Sequence, residues 1–264
     1  MGVSKVKYAF VTRDDELSKN IALKIKTELK KYFEYDELNP NLVISIGGDG
    51  TILKAVHRYM NNDCAFVGLH TGTLGFFTDY QLDELDSFIK DIINNQYKVL
   101  NRHLLEIKIN KKDSVEILYA LNELRLDQGL RTQVISVYIN DVLFEVFRGN
   151  GLCVSTPSGS TGYNKSLGGA IIYPGIPLMQ LTEVAGIHHN AYRSLGSSLV
   201  LDESQTIKLI GNQFNKALIG LDHLHYQFDD VESIEVHISQ KVVKFVEYKE
   251  MSFIKRVRRA FISS

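Results

Sequence analysis

The sequence predicts a chain of two domains, in which an N-terminal α/β domain with a Rossmann-like parallel sheet precedes a mostly antiparallel β domain. Three observations predict this fold class. Strand-like runs alternate with helical patterns over residues 1–100, the hydrophobic period falls to two over residues 101–250, and residues 251–264 have the pattern of one closing helix. A chain of 264 residues that is 44% hydrophobic is large enough to build two such cores.

The first hundred residues contain three strand-like runs, each followed by a helical pattern. The predicted strands lie at 6–12, 42–46 and 64–70, and the predicted helices at 17–33, 51–60 and 82–93. The first helix repeats an apolar residue every four positions, and these residues are expected to form its buried face: Leu17, Ile21, Ile25, Leu29 and Phe33. Strands separated by helices imply parallel pairing, and such sheets bind ligands beyond the carboxyl ends of their strands.

Beyond residue 100, apolar and polar residues alternate, as they do in half-buried strands. The clearest alternations run over 105–110, 207–209 and 234–238, and they predict an antiparallel sheet or sandwich. The closing segment predicts a docked helix capped by Ser252. Its expected apolar face is Phe253, Ile254, Val257 and Phe261, and its expected solvated basic face is Lys255, Arg256, Arg258 and Arg259.

Composition narrows the classes of protein and partner. The formal net charge of −1 argues against broad binding to nucleic acid. The two cysteines, Cys64 and Cys153, lie in apolar runs without metal-type spacing, which predicts reduced, buried side chains. The opening residues lack the long apolar segment of a signal peptide, and no run of 18 apolar residues exists to span a membrane. These features predict a cytoplasmic protein with no membrane partner.

The strand at 42–46 leads into GGDGT, residues 47–51, where three glycines surround one aspartate. Glycines allow a close approach to a ligand, and N–H groups at the start of the following helix can bind phosphate. The loop is neither a Walker A motif nor GxGxxG. A carboxylate beside phosphates is costly unless it takes a proton or holds a cation, so Asp49 is predicted to deprotonate a hydroxyl nucleophile. A tight turn capped by Asp49 is the structural alternative.

Three further segments carry candidate binding residues. The stretch at 147–169 places hydroxyl and amide side chains among glycines, which suits a ligand with many oxygen atoms, and Tyr163 could stack on a base. Asn122 and Glu123 interrupt a strand-like segment and could bind sugar hydroxyls. His223 follows an apolar strand, and with His225 it has the spacing of metal ligands, but no third ligand is evident. The structural alternatives are a polar surface loop for 147–169, an exposed polar pair for Asn122 and Glu123, and a structural histidine for His223.

Together these segments resemble those of the NAD kinase family, of the bacterial type, whose members phosphorylate NAD to NADP. The resemblance rests on GGDGT at 47–51, HTGTLGF at 70–76, NE at 122–123, STPSGSTGYNKSLGG at 155–169 and LDH at 221–223. These motifs cover most of the chain, and the long serine- and glycine-rich motif is highly specific. GGDGT alone also resembles lipid kinases and phosphofructokinases. Lipid kinases usually place Asn-Glu two residues after the threonine, where this chain has Leu53-Lys54.

The resemblance implies an NAD kinase-like two-domain fold, with the site between the domains and the final helix packed back on the first. It implies ATP and NAD as substrates, with a divalent cation, most simply Mg²⁺, on the phosphates. Members are usually homodimers or homotetramers in which a neighbouring subunit also touches the dinucleotide. No protein residue of this chain is assigned as a metal ligand.

The resemblance also implies roles for individual residues. Asp49 would accept the proton of the ribose 2′-hydroxyl, and Gly50 would contact the dinucleotide and the ATP phosphates. Asn122 and Glu123 would hold polar groups of the dinucleotide, and Arg148 would favour phosphate. The adenosine pocket would be lined by Thr161, Gly162, Tyr163, Asn164, Lys165 and Ser166, with Ser158 nearby. The residues expected to approach the bound dinucleotide are Ala185 and His223.

Two positions depart from the pattern of the family. Asn150 stands where the family often has Asp, which keeps an acceptor oxygen but loses a charge. Gly162 stands where Ala is common, which should loosen the edge of the pocket. Two other functions remain alternatives. One is a kinase of lipids or of another hydroxyl substrate, which would share the glycine loop, and the other is a dinucleotide sensor that has lost the chemistry, for which Asn150 is the only hint.

Overall fold

The computed structural model describes residues 6–72, 75–127, 132–190, 192–211, 214 and 218–262. By its internal contacts the chain divides into two compact units. The first comprises Met1–Asn101 and Val243–Ser264, and the second comprises Arg102–Val242. Residues 243–250, which the sequence assigned to the β domain, are therefore grouped with the first unit.

Strands and helices alternate in the first part of the chain. The elements are β1 (Lys7–Thr12), α1 (Glu16–Leu29), β2 (Glu34–Tyr35), β3 (Leu42–Gly47), α2 (Asp49–Tyr59), β4 (Ala65–His70), β5 (Tyr80–Gln81), a 3-10 turn (Leu82–Glu84) and α3 (Leu85–Asn94). The strands pair in the order β2-β1-β3-β4, with β5 beside β4, and every one of these pairs is parallel. The predicted α/β domain with a parallel sheet is confirmed.

The register of β3 against β4 positions two functional segments side by side. Gly47, the last residue of β3, pairs with His70, the last residue of β4. The carboxyl ends of the two strands therefore meet at one edge of the sheet. The glycine loop follows one of them and the segment HTGTLGF begins at the other, as the position of ligand sites in parallel sheets predicts.

The helix α1 buries a slightly different face from the predicted one. Its buried residues are Ser18, Ile21, Ile25 and Leu29, whereas Leu17 is 44% exposed. Ser18 is buried because Asp15 caps the helix, accepting hydrogen bonds from the Ser18 N–H at 2.9 Å and hydroxyl at 3.0 Å. The prediction that Leu17 begins the buried face was wrong. Ser18 lies on that face instead, and it can be buried because its hydroxyl is hydrogen-bonded to Asp15.

The second part of the chain is mostly β. Its elements are β6 (Lys98–Lys111), β7 (Val115–Ala120), β8 (Glu123–Asp127), β9 (Gln133–Ile139), β10 (Val142–Gly149), β11 (Gly151–Ser155), a 3-10 turn (Gly159–Thr161), α4 (Tyr163–Ser166), β12 (Leu178–Val184), β13 (Leu199–Asp202), β14 (Ile207–Gly211), β15 (Leu218–Leu221), β16 (Leu224–Tyr226) and β17 (Val231–Glu247).

Two antiparallel layers enclose the core of the second unit. One runs β13-β12-β11-β8-β15-β16, and the other contains the run β10-β9-β14-β17 together with the paired strands β6 and β7. Alternate residues of these strands meet in one apolar cluster that includes Ile107, Leu126, Val154, Leu209 and Val236. The predicted antiparallel domain is confirmed, and the period of two arises because one face of each strand is buried.

The closing helix α5 spans Phe253–Phe261, and Ser252 occupies its N-cap position without a side-chain cap bond. Its expected basic face was wrong at one position, because Arg256 is only 9% exposed. Its expected apolar face was wrong at Ile254, which is 67% exposed. Among the described residues, no helix combines the length and the apolar character that crossing a membrane would require.

Both cysteines are free and buried, as predicted. Burial raises the pKa of the Cys64 thiol to about 11 and raises that of Cys153 further. Neither thiol is therefore a reactive nucleophile near neutral pH.

Candidate functional site

The glycine loop joins β3 to α2 with only Gly48 between them. Gly47 has a φ of +155°, and a Cβ there would overlap the side chain of Thr51, so only glycine fits. The first turn of α2 is closed by the N–H of Thr51, which donates to the carbonyl of Gly48 at 2.9 Å. Gly50 is exposed, and among the described residues nothing lies within 4 Å of a Cβ placed on it. The first N–H groups of a helix have no partner within the helix, so this helix start suits phosphate.

Asp49 is the first residue of α2, and the segment after β4 holds its half-buried carboxylate. The N–H of Phe76 donates to Oδ2 at 2.9 Å, and the N–H of Phe77 donates to Oδ1 at 3.1 Å. Gly75 makes this approach possible, because a Cβ there would overlap the carboxylate. An ionised carboxylate accepts about four hydrogen bonds. Asp49 is thus fixed in orientation and retains capacity for a further proton donor.

His70 is a candidate that the sequence did not single out. Its Nδ1 accepts the N–H of Gly72 at 2.9 Å, and its Nε2 would lie 3.3 Å from a Cβ on Gly48. Burial lowers the pKa of His70, although the charge of Asp49 acts in the opposite direction. The neutral ring therefore carries its proton on Nε2, facing the glycine loop. The motif HTGTLGF contains this histidine, and its residues 73–74 lie outside the described residues.

In the second unit, Asp222 organises the turn that carries Asn122 and Glu123. Its carboxylate accepts three backbone N–H groups, from Leu121 at 2.9 Å, Asn122 at 2.6 Å and Glu123 at 3.2 Å. Asp222 is 5% exposed and has a φ of 54°, a conformation that Asp tolerates better than most residues. No role was predicted for Asp222 itself, yet its carboxylate fixes the backbone of two predicted binding residues, Asn122 and Glu123.

Asn122 and Glu123 present different chemistry at this turn. The side-chain oxygen of Asn122 is buried and has no hydrogen-bond partner among the described residues, which leaves an acceptor available to a ligand. Glu123 is 6% exposed, and burial, followed by the charge of Asp222, raises its pKa to about 7. Arg125 acts in the opposite direction, with its Nε 3.7 Å from Glu123 Oε1. Near neutral pH, Glu123 can therefore both donate and accept.

The serine- and glycine-rich stretch folds against the same turn. Several of its hydroxyl groups are fully buried and bonded within the fold rather than offered to a ligand. The Thr156 hydroxyl donates to the carbonyl of Leu121 at 2.6 Å, and the Ser160 hydroxyl donates to that of Pro157 at 2.7 Å. The side-chain amide of Gln180 accepts the N–H of Ala170 at 2.8 Å and donates to the carbonyl of Ala170 at 3.1 Å. The hydroxyl density predicted as ligand chemistry is therefore partly structural.

The predicted adenosine residues occupy the turn and short helix beyond these anchors. Asn164 is fully buried, and its Oδ1 accepts the hydroxyl of Thr182 at 2.7 Å. The Tyr163 ring lies under the guanidinium of Arg125, 5.2 Å from Cζ to the ring centroid. The remaining predicted residues of this stretch are half-buried or exposed: Ser158, Thr161, Gly162, Lys165 and Ser166. The structure therefore brings this stretch, Asn122 and Glu123 together.

The other predicted residues of the second unit form a separate group. Gly149, between Arg148 and Asn150, lies so close to Ala185 that a Cβ on it would fall 2.7 Å from the Ala185 carbonyl oxygen. The guanidinium of Arg148 lies 4.3 Å from the Tyr192 ring centroid. Asn150 precedes β11, whereas the Asn122 turn lies at its far end, beside Ser155. From Asn150 to Ser155 there are five residue steps of extended chain, which separate the two groups by about 17 Å.

His223 lines a pocket of about 270 Å³ in the second unit, together with Arg125, Asp127, Leu218, Gly220, Leu224 and His225. The sequence did not single out Arg125, which reaches the Tyr163 ring, the Glu123 carboxylate and, at 3.0 Å, the carbonyl of Asp222. Its alternation with Glu123 and Asp127 on one strand face was the available signal. In the part of the chain that the structure describes, no three His, Cys, Asp or Glu side chains cluster as a metal site.

Comparison with known proteins identifies the family of this chain. The family described as ATP-NAD kinase N-terminal domain matches residues 5–97, and that described as ATP-NAD kinase C-terminal domain matches residues 121–248. NAD kinase 1 of Halalkalibacterium halodurans is 38% identical over 262 residues, which cover 97% of this chain and 99% of that protein. NAD kinase 1 of Listeria innocua is 41% identical over 263 residues, with the same coverage of 97% and 99%.

Solved structures agree on the fold. The crystal structure of yeast NADH kinase complexed with NADH has a TM-score of 0.86 at 22% identity, covering 99% of this chain and 89% of that one. An NAD kinase from Archaeoglobus fulgidus in complex with ATP has a TM-score of 0.74 at 21% identity, covering 97% of each chain. With both domain families matched in order and near full-length identity of about 40%, the chain belongs to the NAD kinase family.

Proposed function

We propose that this chain phosphorylates the 2′-hydroxyl of the adenosine ribose of NAD with ATP, and that Asp49 is the general base. The family supplies the reaction, ATP-dependent conversion of NAD to NADP. The observation that carries the role of Asp49 is its position: a carboxylate oriented by two N–H groups, with acceptor capacity to spare, at a glycine-rich helix start. A hydroxyl nucleophile needs such a group within hydrogen-bond reach.

The proposed step is balanced by proton transfer to Asp49. The ribose oxygen loses its proton to the carboxylate and forms a bond to the γ-phosphorus of ATP. The bond from that phosphorus to the bridging oxygen of the β-phosphate breaks, and ADP leaves with the electron pair. Gly50 and the first N–H groups of α2 stabilise charge on the phosphoryl oxygens, because they point out of a helix N-terminus into open space.

Dinucleotide recognition is assigned to the turn at Asn122 and the stretch around Tyr163. The unpartnered oxygen of Asn122 accepts an amino or hydroxyl group, and Glu123 accepts or donates because its pKa is about 7. Tyr163 offers a ring for stacking, and the lining of the adenosine pocket is completed by Ser158, Thr161, Gly162, Asn164, Lys165 and Ser166. His223 is assigned to the dinucleotide beside Arg125.

We also propose a divalent cation that travels with the phosphates. No cluster of three potential ligands occurs in the described residues, so the chain itself does not form a closed metal cage there. Mg²⁺ in nucleotide-dependent enzymes is usually held by substrate phosphates, water and one or two carboxylates. When bound, it would neutralise charge on the transferring phosphoryl group.

The group of Arg148, Asn150 and Ala185 is proposed to contact NAD held by a neighbouring copy of the chain, in a homodimer or homotetramer. The proposal is supported by the separation of this group from the Asn122 turn, about 17 Å along β11. Light scattering of the purified protein tests the proposal, because a monomer at assay concentrations would contradict it.

The proposed reaction is tested by measuring NADP formed from NAD, ATP and Mg²⁺. Wild type should form NADP, and Asp49→Asn should not, while still binding NAD. Asp86→Asn is the matched control, since it removes one exposed carboxylate of α3, which pairs with Lys24. Asp49→Asn with wild-type turnover would remove the base from the mechanism. A wild type that binds NAD without releasing ADP would favour the sensor, and phosphorylation of diacylglycerol but not NAD would favour a lipid kinase.

A further inference from the structure

Arg256 is a buried cation of the closing helix whose bonds reach the segment behind Asp49. It is 9% exposed, and its guanidinium donates to the carbonyl of Phe76 at 3.2 Å and to that of Thr78 at 2.7 Å. It also forms an ion pair with Asp79, which is 8% exposed. All of these residues lie in the first unit. One side chain therefore binds three acceptors along residues 76–79.

One peptide group lies between Arg256 and Asp49. The carbonyl of Phe76 and the N–H of Phe77 belong to the same peptide unit, and the two groups of a trans peptide point in opposite directions. The carbonyl accepts from Arg256, and the N–H donates to Asp49. A cation on the carbonyl side polarises the peptide and strengthens its donation to the carboxylate on the other side. The bond to Asp49 is thus tied to the bond made by Arg256.

From this arrangement we propose that Arg256 is a positioning residue for Asp49, which acts by fixing and polarising the Phe76–Phe77 peptide that orients the carboxylate. The inference rests on the proposed role of Asp49 as the base. Arg256 touches no reacting atom in this scheme. Its contribution is to keep one carboxylate in the geometry that proton transfer requires, where small displacements are expensive.

Attachment of α5 to the rest of the first unit does not by itself explain why a buried guanidinium is present at Arg256. Phe76 already packs against Phe253 and Phe261 of α5, with ring centroids 6.4 and 5.6 Å apart. A buried ion pair is a weak source of stability, and apolar side chains of similar volume often serve as well. Burial lowers the pKa of Arg256 to about 10, while the charge of Asp49 raises it, so the side chain stays cationic at neutral pH. The cation is therefore held where it faces both Asp79 and Asp49.

The test compares wild type with two variants and a control. Arg256→Lys keeps the charge but loses the planar fork that serves two carbonyls and a carboxylate at once. The double variant Arg256→Met with Asp79→Asn removes both partners of the buried pair, so that no lone charge is left to unfold the chain. Arg259→Gln is the matched control, because it removes an exposed guanidinium from the same helix.

Two readouts separate positioning from a structural role. Hydrogen exchange of the Phe77 amide should become about tenfold faster in the double variant, since this amide loses part of a charge-assisted bond. The kcat should fall about 10- to 100-fold, with KM for NAD and ATP unchanged. Arg256→Lys should lie between the double variant and wild type, and Arg259→Gln should match wild type.

A folded double variant with wild-type kcat would overturn the inference. So would a lower kcat with unchanged exchange at Phe77, because the polarised N–H partner of Asp49 would still be in place. Asp49→Asn in the same series keeps the two proposals distinct. If that variant turns over normally, the role of Asp49 as the base fails, whereas the exchange data still report whether Arg256 holds the peptide.

Discussion

Two aspartates, Asp49 and Asp222, use the same device for different purposes. Each carboxylate lies at the end of a strand and accepts backbone N–H groups from a segment elsewhere in the chain. Asp49 is half-buried and accepts two such groups, whereas Asp222 is 5% exposed and accepts three. The comparison teaches that orientation alone does not make a carboxylate reactive. The one that can serve as a base retains both acceptor capacity and access for a ligand.

The largest expected effect separates the two aspartates by turnover. Asp49→Asn should lower kcat by about 10²- to 10⁴-fold, the usual contribution of a general base. Its free energy of unfolding should stay within about 1 kcal/mol of wild type, because an amide oxygen still accepts one N–H group. Steady-state kinetics and urea denaturation check both parts. If Asp49→Asn lowers the free energy of unfolding as much as Asp222→Asn does, the loss of kcat would reflect a structural role of Asp49.

The second effect concerns Glu123, whose pKa is raised mainly by burial and then by the charge of Asp222. Below its ordinary pKa of 4.5, folded and unfolded chains both hold the proton. Between 4.5 and about 7 the unfolded chain releases it first, so this group lowers stability as the pH rises. Above about 7 the loss is complete, and the rise in pKa corresponds to roughly 3 kcal/mol.

Glu123→Gln removes this titration, and it should therefore flatten the fall in stability between pH 5 and pH 8. Urea denaturation at the two pH values measures the difference. Glu106→Gln is a matched control on another strand of the second unit, where the carboxylate is more exposed. A wild-type slope in Glu123→Gln would show that Glu123 is ionised in the folded chain at pH 5.

The third effect is expected in Asp222→Asn, which should cost about 2 kcal/mol of folding free energy. The amide of the variant has one oxygen for the three N–H groups that donate to Asp222, and its NH₂ group would face at least one of these donors. Asp113→Asn, at an exposed position of the same unit, is the control. Chemical denaturation measures both. A stability equal to wild type would show that the three bonds contribute nothing net, and the contrast with Asp49 would then lose its basis.

These contrasts also show which features a sequence can reveal. The alternation of strands with helices, and the later period of two, predicted both sheets because burial of one or both strand faces is recorded in the side chains themselves. GGDGT was found for the same reason, since glycine and aspartate are informative residue types at a strand end. The family resemblance then supplied roles that no local pattern contained.

Asp222 and Arg256 were missed because their partners are backbone groups far away in the chain. Asp222 binds N–H groups 99 to 101 positions earlier, and Arg256 binds carbonyls 178 and 180 positions earlier. Every residue carries such groups, so the partner leaves no side-chain signature. A buried guanidinium on a short helix was therefore indistinguishable from the exposed basic residues beside it.

The smallest expected effect concerns the close passage of Gly75 beside Asp49. A Cβ at this position would overlap the carboxylate, so Gly75→Ala should push Asp49 away from the N–H groups of Phe76 and Phe77. We expect kcat to fall about tenfold, because the base is displaced rather than removed. Gly72→Ala is the control, since among the described residues a Cβ there would contact His70 at an ordinary 3.5 Å. If both alanine variants turn over like wild type, the Asp49 carboxylate does not need the close contact with Gly75, and this difference from Asp222 would have no effect on catalysis.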